Sequence, residues 1–182
     1  MQAGNVALQV FTIVTGSPKG LNFDANPYPT LFDDSITSKA ALELWGLGSL
    51  RSRVERAVFQ ASNLVALAAE SDGKLVVVRT RQDFDELLES RGRERLTVGG
   101  ILGIEGLHAL DGLFGNVRRL FDEGVRMMAL THFFDNKLGG SSAGQHKTGV
   151  TAFGRQVAEE MERLEVVSVI EMPNVLVALC TS

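Results

Sequence analysis

The feature that most constrains this chain is the alternation of predominantly apolar runs with segments whose apolar residues recur every three or four positions. Residues 6–14 are apolar and partly β-branched between Gly4-Asn5 and Gly16-Ser17-Pro18, and this pattern predicts a buried strand. Apolar runs at 75–78, 96–106 and 125–131 repeat the pattern, and 166–170 opens the last strand. Strands apolar on both faces, separated by amphipathic helices, indicate βα units and a parallel sheet covered by helices. The fold class read from the pattern is α/β.

The helical segments carry their own punctuation. Leu50, Val54, Ala57, Val58, Ala61, Leu64, Val65 and Ala68 put one apolar face on a helix over about 49–70, after a shorter helical piece at 38–45 that stops at Gly46-Leu47-Gly48. Thr80 and Asp83 form a capping box that starts a helix with Phe84, Leu87 and Leu88 as its buried face. Asp111 is expected to cap a helix whose Leu113, Val117, Leu120 and Phe121 face inward until Gly124 ends it. Thr151 opens another with Phe153, Val157, Met161 and Leu164 on one side. Two loops stand out: 16–34, rich in Pro, Gly, Asn and Asp, and 139–149, rich in Gly and Ser.

The 182 residues suit a single domain, 1–182, and are short for a complete (β/α)₈ barrel, which takes about 250. A net charge of −4, with Lys and Arg scattered, gives no footprint for nucleic acid or an anionic membrane. No apolar stretch reaches the roughly 20 residues of a spanning helix. The single cysteine, Cys180, cannot form an internal disulfide, and residues 1–5 lack a secretory leader, so a cytoplasmic location is expected unless the true start lies upstream. Walker loops, HExxH and CxxC pairs do not occur.

In α/β sheets chemistry gathers at the carboxyl ends of strands. Two sites qualify: Glu105 in Gly103-Ile104-Glu105-Gly106-Leu107-His108, and His132 in Leu130-Thr131-His132-Phe133-Phe134-Asp135-Asn136. A Glu and a His on successive strand tips can serve one pocket as metal ligand and oxyanion donor; equally, each residue type serves as a cap or a turn partner. Gly140-Ser141-Ser142-Ala143-Gly144 matches the nucleophile-elbow pattern G-x-S-x-G with Ser142 as nucleophile, although loop-like sequence on both sides is the wrong context.

The segments Gly103-Ile104-Glu105-Gly106-Leu107-His108-Ala109-Leu110, 124–136 and 149–164 resemble, in order and spacing, the signature segments of the membrane (renal) dipeptidase family of zinc metallopeptidases, bacterial type. The opening Gly4-Asn5-Val6-Ala7-Leu8-Gln9-Val10-Phe11 is similar to that family's second barrel strand, so the likeness covers about 4–164. The resemblance implies a (β/α)₈ TIM-like barrel, here partial, and zinc-dependent hydrolysis of a dipeptide substrate at a centre of two ions. It also implies that Glu105 bridges the metals as a ligand, and that His132 binds substrate and steadies the tetrahedral intermediate.

The sequence departs from that family in its ligands. The His-x-Asp pair of the first barrel strand is absent, and no histidine follows His146, where the family has two more at later strand ends. Glu165 stands where a helix-ending glycine is usual, and 165–182 diverges. The remaining candidate ligand set is Glu105, His132 and Asp135. Two readings follow: a zinc dipeptidase, or a truncated, non-catalytic remnant that depends on a partner. Half a barrel also exposes strand edges, so homo-oligomer formation is expected.

Overall fold

The computed structural model describes residues 1–93, 96–172 and 175–179. In chain order the regular elements are β1 (Leu8–Ile13), α1 (Ser35–Leu42), α2 (Leu47–Arg51), α3 (Arg53–Glu70), β2 (Leu75–Val77), α4 (Arg81–Gly92), β3 (Val98–Ile104), α5 (Asn116–Asp122), β4 (Val125–Ala129), α6 (Ala152–Arg163), β5 (Val167–Met172) and β6 (Val175–Leu179). Single 3₁₀ turns lie at Gln2–Gly4 and Leu107–Leu110. Cys180 lies outside the described residues.

One sheet contains the described strands in the order β1-β3-β4-β5-β6, with β2 also paired to β3. Gly99 N donates to Ala7 O and Glu105 N to Ile13 O, while Val98 N donates to Lys74 O. Alternate amides of a strand face opposite edges, so β1 holds one edge of β3, and β2 and β4 share the other. All these pairings and β4·β5 are parallel, as the apolar strands predict. β6 was not foreseen: it folds back on β5 as an antiparallel edge strand.

The core lies between the sheet and α3, α5 and α6. Val54, Ala57, Ala61 and Leu64 of α3 meet Ile13, Leu102 and Ile104, while Val117, Leu120, Val157 and Met161 continue the cluster beneath β4. Gly99 faces the opposite side from Gly100, and α4 packs there: a Cβ on Gly99 would lie 2.4 Å from Leu87 Cδ2 and 2.8 Å from Leu8 Cδ1. Glycine at 99 lets α4 approach the sheet.

Local rules explain most elements and fail where long-range partners intervene. The Thr80/Asp83 capping box forms as predicted, and Thr151 caps α6 through a bond from Gly154 N. The helix expected over 49–70 is broken, because Ser52 takes extended backbone (φ −129°, ψ 128°) and caps α3. Its side chain accepts from Glu55 N and also donates to Asp111 Oδ2 at 2.7 Å.

Asp111 does not cap the helix that follows it. It sits at φ 52° after the 3₁₀ turn, and its carboxylate reaches back to Arg53 N and Val54 N in the first turn of α3. α5 starts only after Gly115, which leaves Leu113 62% exposed, while Val117 and Leu120 are buried as expected. On α4, Leu87 is buried but Leu88 is 50% exposed, since the helix meets the sheet along one narrow line.

The 16–34 loop is tied to α3 by two arginines. Arg56, fully buried, donates to Ser49 O, Thr15 O, Thr37 Oγ1 and, at 2.6 Å, to Asp34 Oδ2. Arg53 donates to Tyr28 Oη and Pro29 O. Asp34 in turn caps α1 by accepting from Ile36 N. A buried ion pair of this kind holds the loop in register because breaking it strands a charge away from water.

Candidate functional site

Glu105 is the first residue after β3, and its amide still joins the ladder to β1. The chain then turns through Gly106 at φ 87°, where a side chain would meet His108 Nδ1 at 2.6 Å and His132 Cβ at 3.4 Å. This is a position that only glycine fills without strain. His132 comes two residues past Leu130, whose carbonyl accepts from Leu107 N and whose amide donates to Val169 O. The ends of β3, β4 and β5 are thereby locked to one another, and Glu105 and His132 are brought together.

Glu105 Oε2 lies 3.1 Å from His132 Nε2. The hydrogen bond from His132 holds the Glu105 carboxyl below the usual carboxylate range; burial pushes the other way, and a bond from the Thr12 hydroxyl on β1 adds to the lowering. An ionised carboxylate only accepts, so in this bond Nε2 carries the proton. The His132 ring meets Phe133 edge-on at 4.2 Å, and Phe133 meets Phe23 of the 16–34 loop at 5.9 Å. The His132 carbonyl accepts a hydrogen bond from the Ser141 hydroxyl.

Other residues considered from sequence make their bonds elsewhere. Asp135 accepts from Ser141 N and His146 N and braces its own loop. Among the described residues no group of three or more His, Cys, Asp or Glu is arranged to hold a metal ion, so the set Glu105, His132 and Asp135 is not assembled. His108 is buried, with Nε2 3.1 Å from Thr15 Oγ1 and its ring 4.6 Å from Phe134. Burial first, then the nearby Arg53, His132 and Arg56 charges, push its pKa down to about 3.

Ser142 is exposed in a turn between β4 and α6, and no strand runs into it. The elbow that would raise it as a nucleophile is not formed. Sequence reasoning missed Thr12, Asn26 and Ser141, the polar residues that fix the pair and its loop. Thr12 occupies an alternate, polar position within an apolar strand, and that was the one signal available. Among the described residues no helix is long and apolar enough to cross a membrane.

The chain is 35% identical over 69 residues to an uncharacterized dipeptidase of Schizosaccharomyces pombe, covering 37% of this chain and 17% of that one. It is 30% identical over 112 residues to the dipeptidase verJ of Clonostachys rogersoniana, covering 60% of this chain and 28% of the relative. The chain therefore spans well under half the length of these curated relatives.

Among solved structures, a metallopeptidase from Rhodobacter sphaeroides, liganded with a phosphinate mimic of L-Ala-D-Ala, superposes with a TM-score of 0.65 at 18% identity. The match covers 92% of this chain and 47% of that one. The α/β architecture is thus that of part of a TIM-like barrel. The sequence model of the membrane dipeptidases (peptidase family M19), a family of metallopeptidases, matches residues 1–174, and the chain belongs to that family.

Proposed function

We propose that this chain carries part of a dipeptide-hydrolysing site, with Glu105 as a ligand to zinc and His132 as the group that meets the substrate. The observation that supports this most is the 3.1 Å approach of the two side chains at the carboxyl ends of neighbouring strands. Their present bond suits both roles. The Nε2–H that now donates to Glu105 is the donor a developing oxyanion would take, and giving it up leaves the carboxylate oxygen open to a cation. Phe133 and the Ser141 bond fix the direction in which that N–H points.

The residues present do not by themselves fit a zinc ion. Such a site takes about four protein ligands, or about three and a water. The described residues supply no such cluster, and Glu105 shares its charge with His132 and Thr12. The family's remaining ligands have no counterpart in this sequence. That shortfall favours the second reading, a non-catalytic chain that needs a partner.

The dipeptide is the small-molecule partner in this proposal, and the lone cysteine suits the cytoplasm. β1 ends the sheet at one side, which makes a second copy of the chain a candidate partner. Zinc stoichiometry and hydrolysis of an unblocked dipeptide, with and without added zinc and beside Glu105→Ala, test the proposal. Bound zinc with turnover that Glu105→Ala abolishes would establish the catalytic reading against the shortfall in ligands. A chain that takes up no zinc and shows no turnover is the non-catalytic one.

A further inference from the structure

Asn26 lies in the middle of the irregular loop between β1 and α1, yet it is 1% exposed. Both polar atoms of its side chain are engaged. Oδ1 accepts from Asn22 N at 2.9 Å, and Nδ2 donates to Asn22 O at 2.7 Å, Phe133 O at 3.0 Å and Ala143 O at 3.0 Å. Two hydrogens serve three acceptors, so one is shared. The backbone amide of Asn26 adds a bond to Ala143 O at 2.8 Å.

These bonds converge on the peptide segment that carries His132. The carbonyl of Phe133, directly after it, is held by Asn26, and the carbonyl of His132 is held by Ser141, whose own amide donates to Asp135. The 22–26 turn organised by Asn26 also seats Phe23 on the Phe133 ring that walls His132. A residue more than a hundred positions upstream thus fixes the backbone and the aromatic neighbour of His132.

We infer that Asn26 is a positioning residue for His132, acting through the Phe133 carbonyl and ring without touching the reacting atoms. The functional meaning rests on the proposal that His132 meets the substrate; the placement itself depends on neither zinc nor a dipeptide. Asn26→Asp tests the donor alone, because it keeps the shape and the acceptor for Asn22 N. It sets an anionic oxygen against the three carbonyls of Asn22, Phe133 and Ala143, turning attraction into repulsion.

The chain has three histidines, so its imidazole protons give three sets of NMR signals, and the set missing from His132→Gln identifies His132. In Asn26→Asp and Asn26→Ala the His132 signals are expected to shift toward their position in Phe133→Ala, where the ring current is gone. Thr30→Ala, which removes only the contact to Asp33 in the same loop, is expected to leave them in place. Unmoved His132 signals in folded Asn26→Asp overturn the inference.

If both Asn26 variants fail to fold, the wild-type protein decides. The Asn26 side-chain amide should exchange with solvent far more slowly than that of exposed Gln145, and equal rates overturn the inference. Shifted signals in a chain that never hydrolyses dipeptides would sink the functional proposal and leave the positioning role intact.

Discussion

Acidification should destabilise this protein through His108, by an amount that follows from its burial. The imidazole is 4% exposed, and burial first, then the Arg53, His132 and Arg56 charges, push its pKa to about 3 from an ordinary 6.5. The folded chain therefore refuses a proton that the unfolded chain accepts below pH 6.5. Stability from this residue is fully present above the unfolded value and is lost as pH falls from there toward the folded one.

At pH ~5 the unfolded histidine is protonated in a ratio of roughly 30 to 1, so going from pH ~7.5 to ~5 removes about 2 kcal/mol. With a urea slope of about 2 kcal/mol/M, the midpoint falls by about 1 M. His108→Gln keeps an amide that can bond Thr15 but cannot titrate, so its midpoint should fall by about 1 M less over the same range. An equal pH dependence of the two urea midpoints would refute the reasoning.

Asp111→Ala should cost about 1–2 kcal/mol at neutral pH, read as a lower urea midpoint, because it removes the acceptor for Ser52 Oγ, Arg53 N and Val54 N at the start of α3. Glu165→Gly should raise the melting temperature, gaining about 1 kcal/mol, because Glu165 ends α6 at φ 56°, where a side chain is strained and glycine is not.

What was legible in the sequence was what local spacing decides. The Thr80/Asp83 box, the Thr151 cap, the apolar strands and the inward faces of α3, α5 and α6 each follow from residues a few positions apart. The misreadings share one cause. Asp111 stands before a helical pattern but its partners are 57 to 59 residues upstream, so no local rule could send its carboxylate there. The same bond explains why α3 starts afresh at Ser52 although the apolar spacing runs straight through. Leu88 looked buried because the helical period allows it; only the single line of contact with the sheet exposes it.

The candidate site shows the same division more sharply. Glu105 and His132 were visible because a polar residue at the end of an apolar strand is a local anomaly. That they could serve one pocket followed from their places on successive strand tips, but their direct bond did not, since it depends on the bonds from Leu107 N to Leu130 O and from Leu130 N to Val169 O that align three strand ends. The residues that hold the pair, Thr12 from β1, Asn26 from the first long loop and Ser141 from the second, come from three separate stretches of chain. All lie before α6, and the divergent segment after Leu164 meets the strand that carries His132 through the β4·β5 ladder and the bond from Leu130 N to Val169 O. The geometry of the pair can therefore persist in a chain whose wider ligand set is incomplete, and structure at Glu105 and His132 and zinc binding are separate properties that need separate measurements.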